Sequence, residues 1–208
     1  MIRNPKTLER FTATERVNHW MVAICFILLA LSGLAFFHPV FWPLTQFFGG
    51  GVWARIWHPF IGLLMAISFC LEFLNFQALN RMTPDDWEWI KRIKNLVAGS
   101  GQNMPMQGKF NAGQKLLFWA MAICIVLLFC SGLVMWRAYV TFPVVLVRLA
   151  SVIHAAAGAL MIGLILGHIY AAIWTRGAIQ AMIYGTVSRA WAKHHHEAWY
   201  RQMTGGQS

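Results

Sequence analysis

The stretch from Ser151 to Trp174, SVIHAAAGALMIGLILGHIYAAIW, is apolar almost throughout and contains two histidines, His154 and His168. About 20 apolar residues carry a helix across the hydrocarbon core of a bilayer. Lipid offers no partners to backbone N–H and C=O groups, so a single run of this kind crosses as a helix. The histidines are fourteen residues apart, which in a helix is a rise of about 21 Å and close to four full turns. Both imidazoles therefore point the same way, at two depths. A span built like this is suited to two stacked redox centres, with the rest of the chain supplying the partner ligands.

Three more apolar runs precede it. The expected spans are residues 17–37, 54–76, 113–136 and 151–174. They define an all-α integral membrane four-helix bundle, with 1–208 as a single transmembrane domain. Only 12% of the chain is charged, against about 25% in soluble domains. The net charge of +10 sits in the segments between apolar runs, where it serves topology and anionic lipid rather than nucleic acid. Arg3, Lys6, Arg10 and Arg16 precede the first span. Arg81, Lys91, Arg92, Lys94 and Lys109 fill the 77–111 segment, and Arg176, Arg189, Lys193 and Arg201 follow the last span. The excess of positive charge puts both termini and the 77–111 segment in the cytoplasm. Loop 38–53 and the 137–148 link then face outward, although Arg137 and Arg148 count slightly against the link. In the tail, Ile179, Met182, Ile183, Val187, Ala190 and Trp191 recur at roughly helical spacing. They predict an amphipathic helix over about 177–200 on the cytoplasmic surface. The N-terminus has no cleavable signal pattern. Cys25, Cys70, Cys124 and Cys130 all lie in apolar runs without a C-x-x-C spacing. This gives no support to covalent haem or cysteine-bound clusters, and the cysteines read as core filler.

Assigning depths from this topology sorts four histidines into pairs: His58 with His154 on the outer side, His19 with His168 on the inner side. One histidine in a membrane can serve only to join two helices. Four that pair by depth on three spans point to ligation. Two imidazoles per site in an apolar bundle suit a low-spin b haem, whereas zinc takes three or four ligands at one depth. Gly33, Gly62 and Gly158 lie on ligand faces and leave room for a macrocycle or for close helix packing. Arg16, Arg55 and Arg137 are the cations placed for propionates. His38, before a proline, reads as interfacial. His194, His195 and His196 read as headgroup-layer residues. Glu72, fourteen residues after His58, either snorkels to the inner surface or joins a proton path.

The segments ERVNHW, ARIWHPF, KFNAGQKLLFW, SGLVMWR, IHAAAG, GHIYAAIW and SRAWAKHHHEAWYR, taken in order, resemble the cytochrome b (gamma) subunit of membrane-bound respiratory formate dehydrogenases. The resemblance covers about residues 9–202. It implies two b haems, the outer on His58 and His154 and the inner on His19 and His168. It implies a menaquinone or other quinone site at His168 with Asn111, Ala112, Gly113 and Gln114, and no residue of covalent catalysis. Asn111 also reads simply as a helix cap. The implied partners are an iron–sulfur (beta) subunit with one transmembrane helix and a molybdenum- or tungsten-pterin (alpha) subunit, in a trimer of heterotrimers in the bacterial inner membrane. Electrons would pass from the iron–sulfur subunit through both haems to the quinone. Cytochromes serving nickel–iron hydrogenase or thiosulfate reductase share the same haem logic. A non-catalytic membrane anchor is the reading from a different class. A transporter is disfavoured, because the spans lack paired carboxylates and broken-helix signals.

Overall fold

The structure, a computed structural model, describes residues 6–97, 104–136 and 140–205. Among these, four helices are long and apolar enough to cross a membrane: α1 (Ala13–Phe37), α2 (Gly51–Phe76), α5 (Ala112–Met135) and α6 (Val144–Trp174). They contain the four expected spans to within a residue or so at their inner boundaries. The largest difference is α6, which begins directly after Pro143 and so absorbs part of the expected link. Arg3 and Arg137 lie outside the described residues. Between the long helices come α3 (Pro84–Lys91) and α4 (Ile93–Val97). The tail forms α7 (Ala178–Tyr184), β2 (Thr186–Ser188), α8 (Arg189–His195) and α9 (Glu197–Thr204), and β1 (Thr7–Glu9) precedes α1.

Local chemistry sets the helix starts. At α1 the Thr12 N–H donates to Glu15 Oε2 at 2.7 Å while the Glu15 N–H donates to Thr12 Oγ1 at 3.3 Å. At α5 the Asn111 N–H donates to Gln114 Oε1 and the Gln114 N–H to Asn111 Oδ1, both at 2.9 Å. Each is a reciprocal box that satisfies orphan N–H donors of a first turn. Residues Pro39–Phe48, expected as an interfacial loop, wind into 3-10 turns. There the His38 ring accepts from the Val40 N–H at 3.2 Å.

The chain divides into two compact units. The first comprises Met1–Arg16, Asn75–Trp119 and Ile169–Ser208. In it β1 pairs antiparallel with β2, Leu8 opposite Val187. The single surface helix expected over 177–200 is here as three short helices interrupted by that strand. Gly185 explains the break. Its φ of +81° ends α7 in the left-handed region, and its carbonyl accepts from the Arg10 and Phe11 N–H groups at 2.8 and 3.1 Å. The strand then buries Val187 with Leu8, Phe11, Phe76, Ala181, Ala192 and Trp199.

Arg10 sits inside this unit at 4% exposure. Its Nη2 donates to the Lys109 carbonyl at 2.6 Å and to His196 Nε2 at 3.1 Å. Its guanidinium also lies 5.0 and 5.2 Å from the Trp191 and Trp199 rings. Burial lowers the guanidinium to about 10. His196 is buried at 2% exposure rather than lying in a headgroup layer as expected. Its Nδ1–H donates to the Gly108 carbonyl at 2.7 Å, which leaves Nε2 to accept from Arg10. Burial, then the neighbouring Arg10 charge, lowers this imidazole to about 3, so it is held neutral. Asp86 and Lys115, both buried, pair at 2.6 Å and tie α3 to the first turn of α5.

The second unit comprises Val17–Leu74 and Ala120–His168. Its core is Cys25, Met65, Cys124, Ile125 and Met161. Two of the four cysteines are thus core filler, while Cys70 and Cys130 stand on exposed faces. Large apolar side chains such as Ile24, Ile27, Ile67, Val126 and Leu160 are also exposed on the long helices, as a lipid-facing surface requires.

Candidate functional site

All four expected ligand histidines fall in the second unit. The His58 and His154 ring centres are 6.2 Å apart, and those of His19 and His168 are 6.3 Å apart. A first-row metal lies about 2 Å from an imidazole nitrogen, and the ring centre is roughly 1 Å further on, so two imidazoles on opposite sides of one metal have centres about 6 Å apart. Both pairs have the separation that a single shared iron needs. Among the described residues no group of three or more His, Cys, Asp or Glu is placed to hold a metal ion.

Hydrogen bonds set the tautomers. Ser32 Oγ–H donates to the Leu28 carbonyl at 2.9 Å, so its lone pair accepts the His58 Nδ1–H at 2.7 Å. Ser131 does the same one site over, donating to the Leu127 carbonyl at 2.6 Å and accepting from His154 Nδ1–H at 3.0 Å. His19 Nδ1 meets Glu72 Oε1 at 3.4 Å. In all three rings Nδ1 carries the proton, which leaves the Nε2 lone pair for a metal. Glu72 thus neither reaches out alone to a surface nor stands free, and it contacts an expected ligand.

Sequence reasoning missed Ser32, Ser131 and Gly132. A Cβ added at Gly132 would lie 3.4 Å from His154 Cε1, and one at Gly33 would lie 3.7 Å from His58 Cε1. At Gly62 and Gly158 a Cβ would meet only Leu29 and Leu128, at 3.9 and 3.8 Å. Gly33 and Gly132 are therefore the glycines that stand beside the expected ligand rings. A signal for all of these was present. The pattern A-I-C-x-x-L-L-x-x-S-G-L runs from Ala23 to Leu34 and again from Ala122 to Leu133. Likewise H-x-x-x-G-x-L-M runs from His58 to Met65 and from His154 to Met161. The two halves repeat one helix pair, and each places a serine hydroxyl on its own half's histidine.

The residues expected at a quinone site, Asn111, Ala112, Gly113 and Gln114, open α5 in the first unit. Asn111 is the helix cap, as its alternative reading had it. The cap uses only the side-chain oxygens of Asn111 and Gln114, so each amide NH2 remains a donor. A cavity of about 440 Å³ is lined in part by Arg81, Lys109, Phe110, Lys115 and Trp199. Of the expected propionate cations, Arg16 donates to the Phe11 carbonyl at 3.2 Å.

A bundle of membrane-length helices that brings imidazoles together in pairs suits a membrane cytochrome of the b type. The chain belongs to the prokaryotic cytochrome b561 family, whose pattern matches residues 10–185. It is 44% identical over 199 residues to the formate dehydrogenase cytochrome b556(fdo) subunit of Escherichia coli K12, covering 95% of this chain and 93% of that one. It is 42% identical over 200 residues to the nitrate-inducible formate dehydrogenase cytochrome b556(Fdn) subunit of the same strain, covering 95% and 92%. The formate dehydrogenase cytochrome b556 subunit of Haemophilus influenzae is 36% identical over 203 residues, covering 97% and 85%. Membership implies b haem, and the ligand geometry fits that group.

Proposed function

We propose that the chain is the cytochrome b subunit of a formate dehydrogenase complex. On this reading it takes electrons from an iron–sulfur partner, ultimately from formate oxidised in a pterin-bearing subunit, and delivers them to a quinone reduced at the cytoplasmic side. The observation that carries the reading is the double histidine pairing at 6.2 and 6.3 Å, with Nε2 left free on His58, His154 and His19. Relatives named as formate dehydrogenase subunits support the donor. The excess of Lys and Arg near both termini and in 77–111 supports their cytoplasmic location.

Two b haems held by His58 with His154 and by His19 with His168 would supply one-electron transfer across the bilayer. The protein's own part is to hold and orient. Ser32 and Ser131 fix two ligand rings, and α6 spaces His154 and His168 by about 21 Å. Met65 and Met161 stand seven residues past His58 and His154 and pack in the core of the unit. At the quinone end, the Asn111 and Gln114 amides would donate to a quinone carbonyl. Cytoplasmic protons then complete the quinol. The complex would be a heterotrimer, further assembled as three copies.

The test is an optical difference spectrum on native membranes, with the formate-reduced b signal expressed as a fraction of that reduced by dithionite. A large fraction, reoxidised by a quinone analogue, is expected. His58→Ala or His154→Ala should remove one haem and leave the other. A dithionite signal without a formate response moves the donor to hydrogen or a sulfur compound. No haem signal returns the chain to a structural anchor.

A further inference from the structure

The repeat relating the two halves is symmetric at one histidine pair and broken at the other. His58 and His154 are equivalent residues, and so are Ser32 and Ser131. Fourteen residues past His154 comes His168, whereas fourteen past His58 comes Glu72. Thirteen residues before Ser32 stands His19, whereas thirteen before Ser131 stands Phe118. The second half therefore supplies its ligand from α6, and the first supplies its ligand from α1. The first half's α2 position, freed from ligation, carries a carboxylate.

That carboxylate faces the site. Glu72 Oε1 lies 3.4 Å from His19 Nδ1, and its side chain is only 18% exposed. A glutamate that merely snorkelled would turn its head away from the bundle. The partners of the other two held ligands, Ser32 and Ser131, are neutral hydroxyls that relay to backbone carbonyls.

Building on the reading that His19 and His168 share a haem iron, we propose that Glu72 is the positioning residue of His19. Its negative charge lowers the reduction potential of that iron below the value a neutral partner would give. The chemistry is direct. A carboxylate accepting the Nδ1–H pushes electron density onto Nε2 and makes the imidazole a stronger donor, which favours the ferric state. Low polarity strengthens the interaction relative to water. The repeat thus yields two ligand sets with different electrostatics, hydroxyl-held at His58/His154 and carboxylate-held at His19.

The experiment is a potentiometric titration of the full complex, followed optically and by low-temperature electron paramagnetic resonance, after a haem count. Wild type should carry two b haems; fewer would overturn the ligand reading itself before any variant is compared. Glu72→Gln keeps a side-chain acceptor and loses the charge. It should retain both haems and raise the midpoint of one component, the one lost in His19→Ala. Ser32→Ala should alter only the other. Should Glu72→Gln fail to accumulate with haem, Glu72→Asp, which keeps the charge but draws it back by one methylene, should raise the same midpoint by less. An unchanged midpoint, or a shift of the component lost in His58→Ala, would overturn the assignment.

Discussion

At the scale of the residue, ligand histidines are only half the apparatus. An imidazole free to rotate, or protonated on the wrong nitrogen, binds metal poorly, so what touches Nδ1 matters as much as what touches Nε2. Ser32 and Ser131 meet that need with a hydroxyl that is itself pinned to the preceding turn. Gly132 stands beside the His154 ring: a Cβ there would touch its Cε1 at 3.4 Å, an ordinary contact, and the extra methyls of a larger side chain would press on the ring. Gly132→Val is therefore expected to tilt His154 off its axis and lower haem occupancy at the His58/His154 site. The helix should remain, as one Gly-to-Val change within the 24 residues of α5 costs little helix propensity. Haem content per polypeptide checks this: the expected value falls from two towards one. Unchanged content would mean that the ring has room to move.

At the scale of the element, the start of α5 is a capped turn to which the proposed function adds a second role. Asn111 and Gln114 close the helix end through their side-chain oxygens, and their NH2 groups are the ends that would meet a quinone. Substitutions separate the roles. Asn111→Asp keeps an acceptor for the Gln114 N–H and suits the positive end of the helix dipole, but it lacks the amide donor. It should slow quinone reduction several-fold while leaving thermal stability and donor-driven haem reduction unchanged. Asn111→Leu should slow the same step and in addition cost about 0.5–2 kcal/mol through the lost cap. Normal quinol formation by Asn111→Asp would move the site away from this turn.

At the scale of the whole molecule, the tail is not an independent surface helix. It is tied to the N-terminal strand and to Gln107–Lys109 through Arg10 and His196. The Ala198 N–H donates to the Gln107 carbonyl at 3.1 Å, and Arg10 bridges the Lys109 carbonyl to His196. This junction should be acid-sensitive. His196 titrates near 3 when docked, against 6.5 when free. Between these values the undocked form binds more protons, so docking is at full strength above about 6.5 and weakens as pH falls towards 3. Limited proteolysis after Arg189, Lys193 and Arg201 should therefore speed up between pH 7.5 and 5 relative to cleavage at Lys91. Equal acceleration at both places would point to global loosening instead.

The sequence by itself determined the membrane bundle and its four long helices, and it singled out the four histidines that packing brings together in pairs. Hydrophobic length and a fourteen-residue spacing on one helix leave few other arrangements, because lipid enforces helix and helix geometry enforces direction. Asn111 was legible as a helix cap, while the reciprocal bond from Gln114 came with the structure. Tertiary structure decided what depends on neighbours from distant parts of the chain. The 3.4 Å contact from Glu72 to His19 joins α2 to α1. The burial of His196 depends on a strand that the tail's helical spacing hid, because Gly185 permits a turn that periodicity does not register. Ser32 and Ser131 fall between these cases. Their repeat is written in the sequence, but only packing reveals that each hydroxyl faces its own histidine.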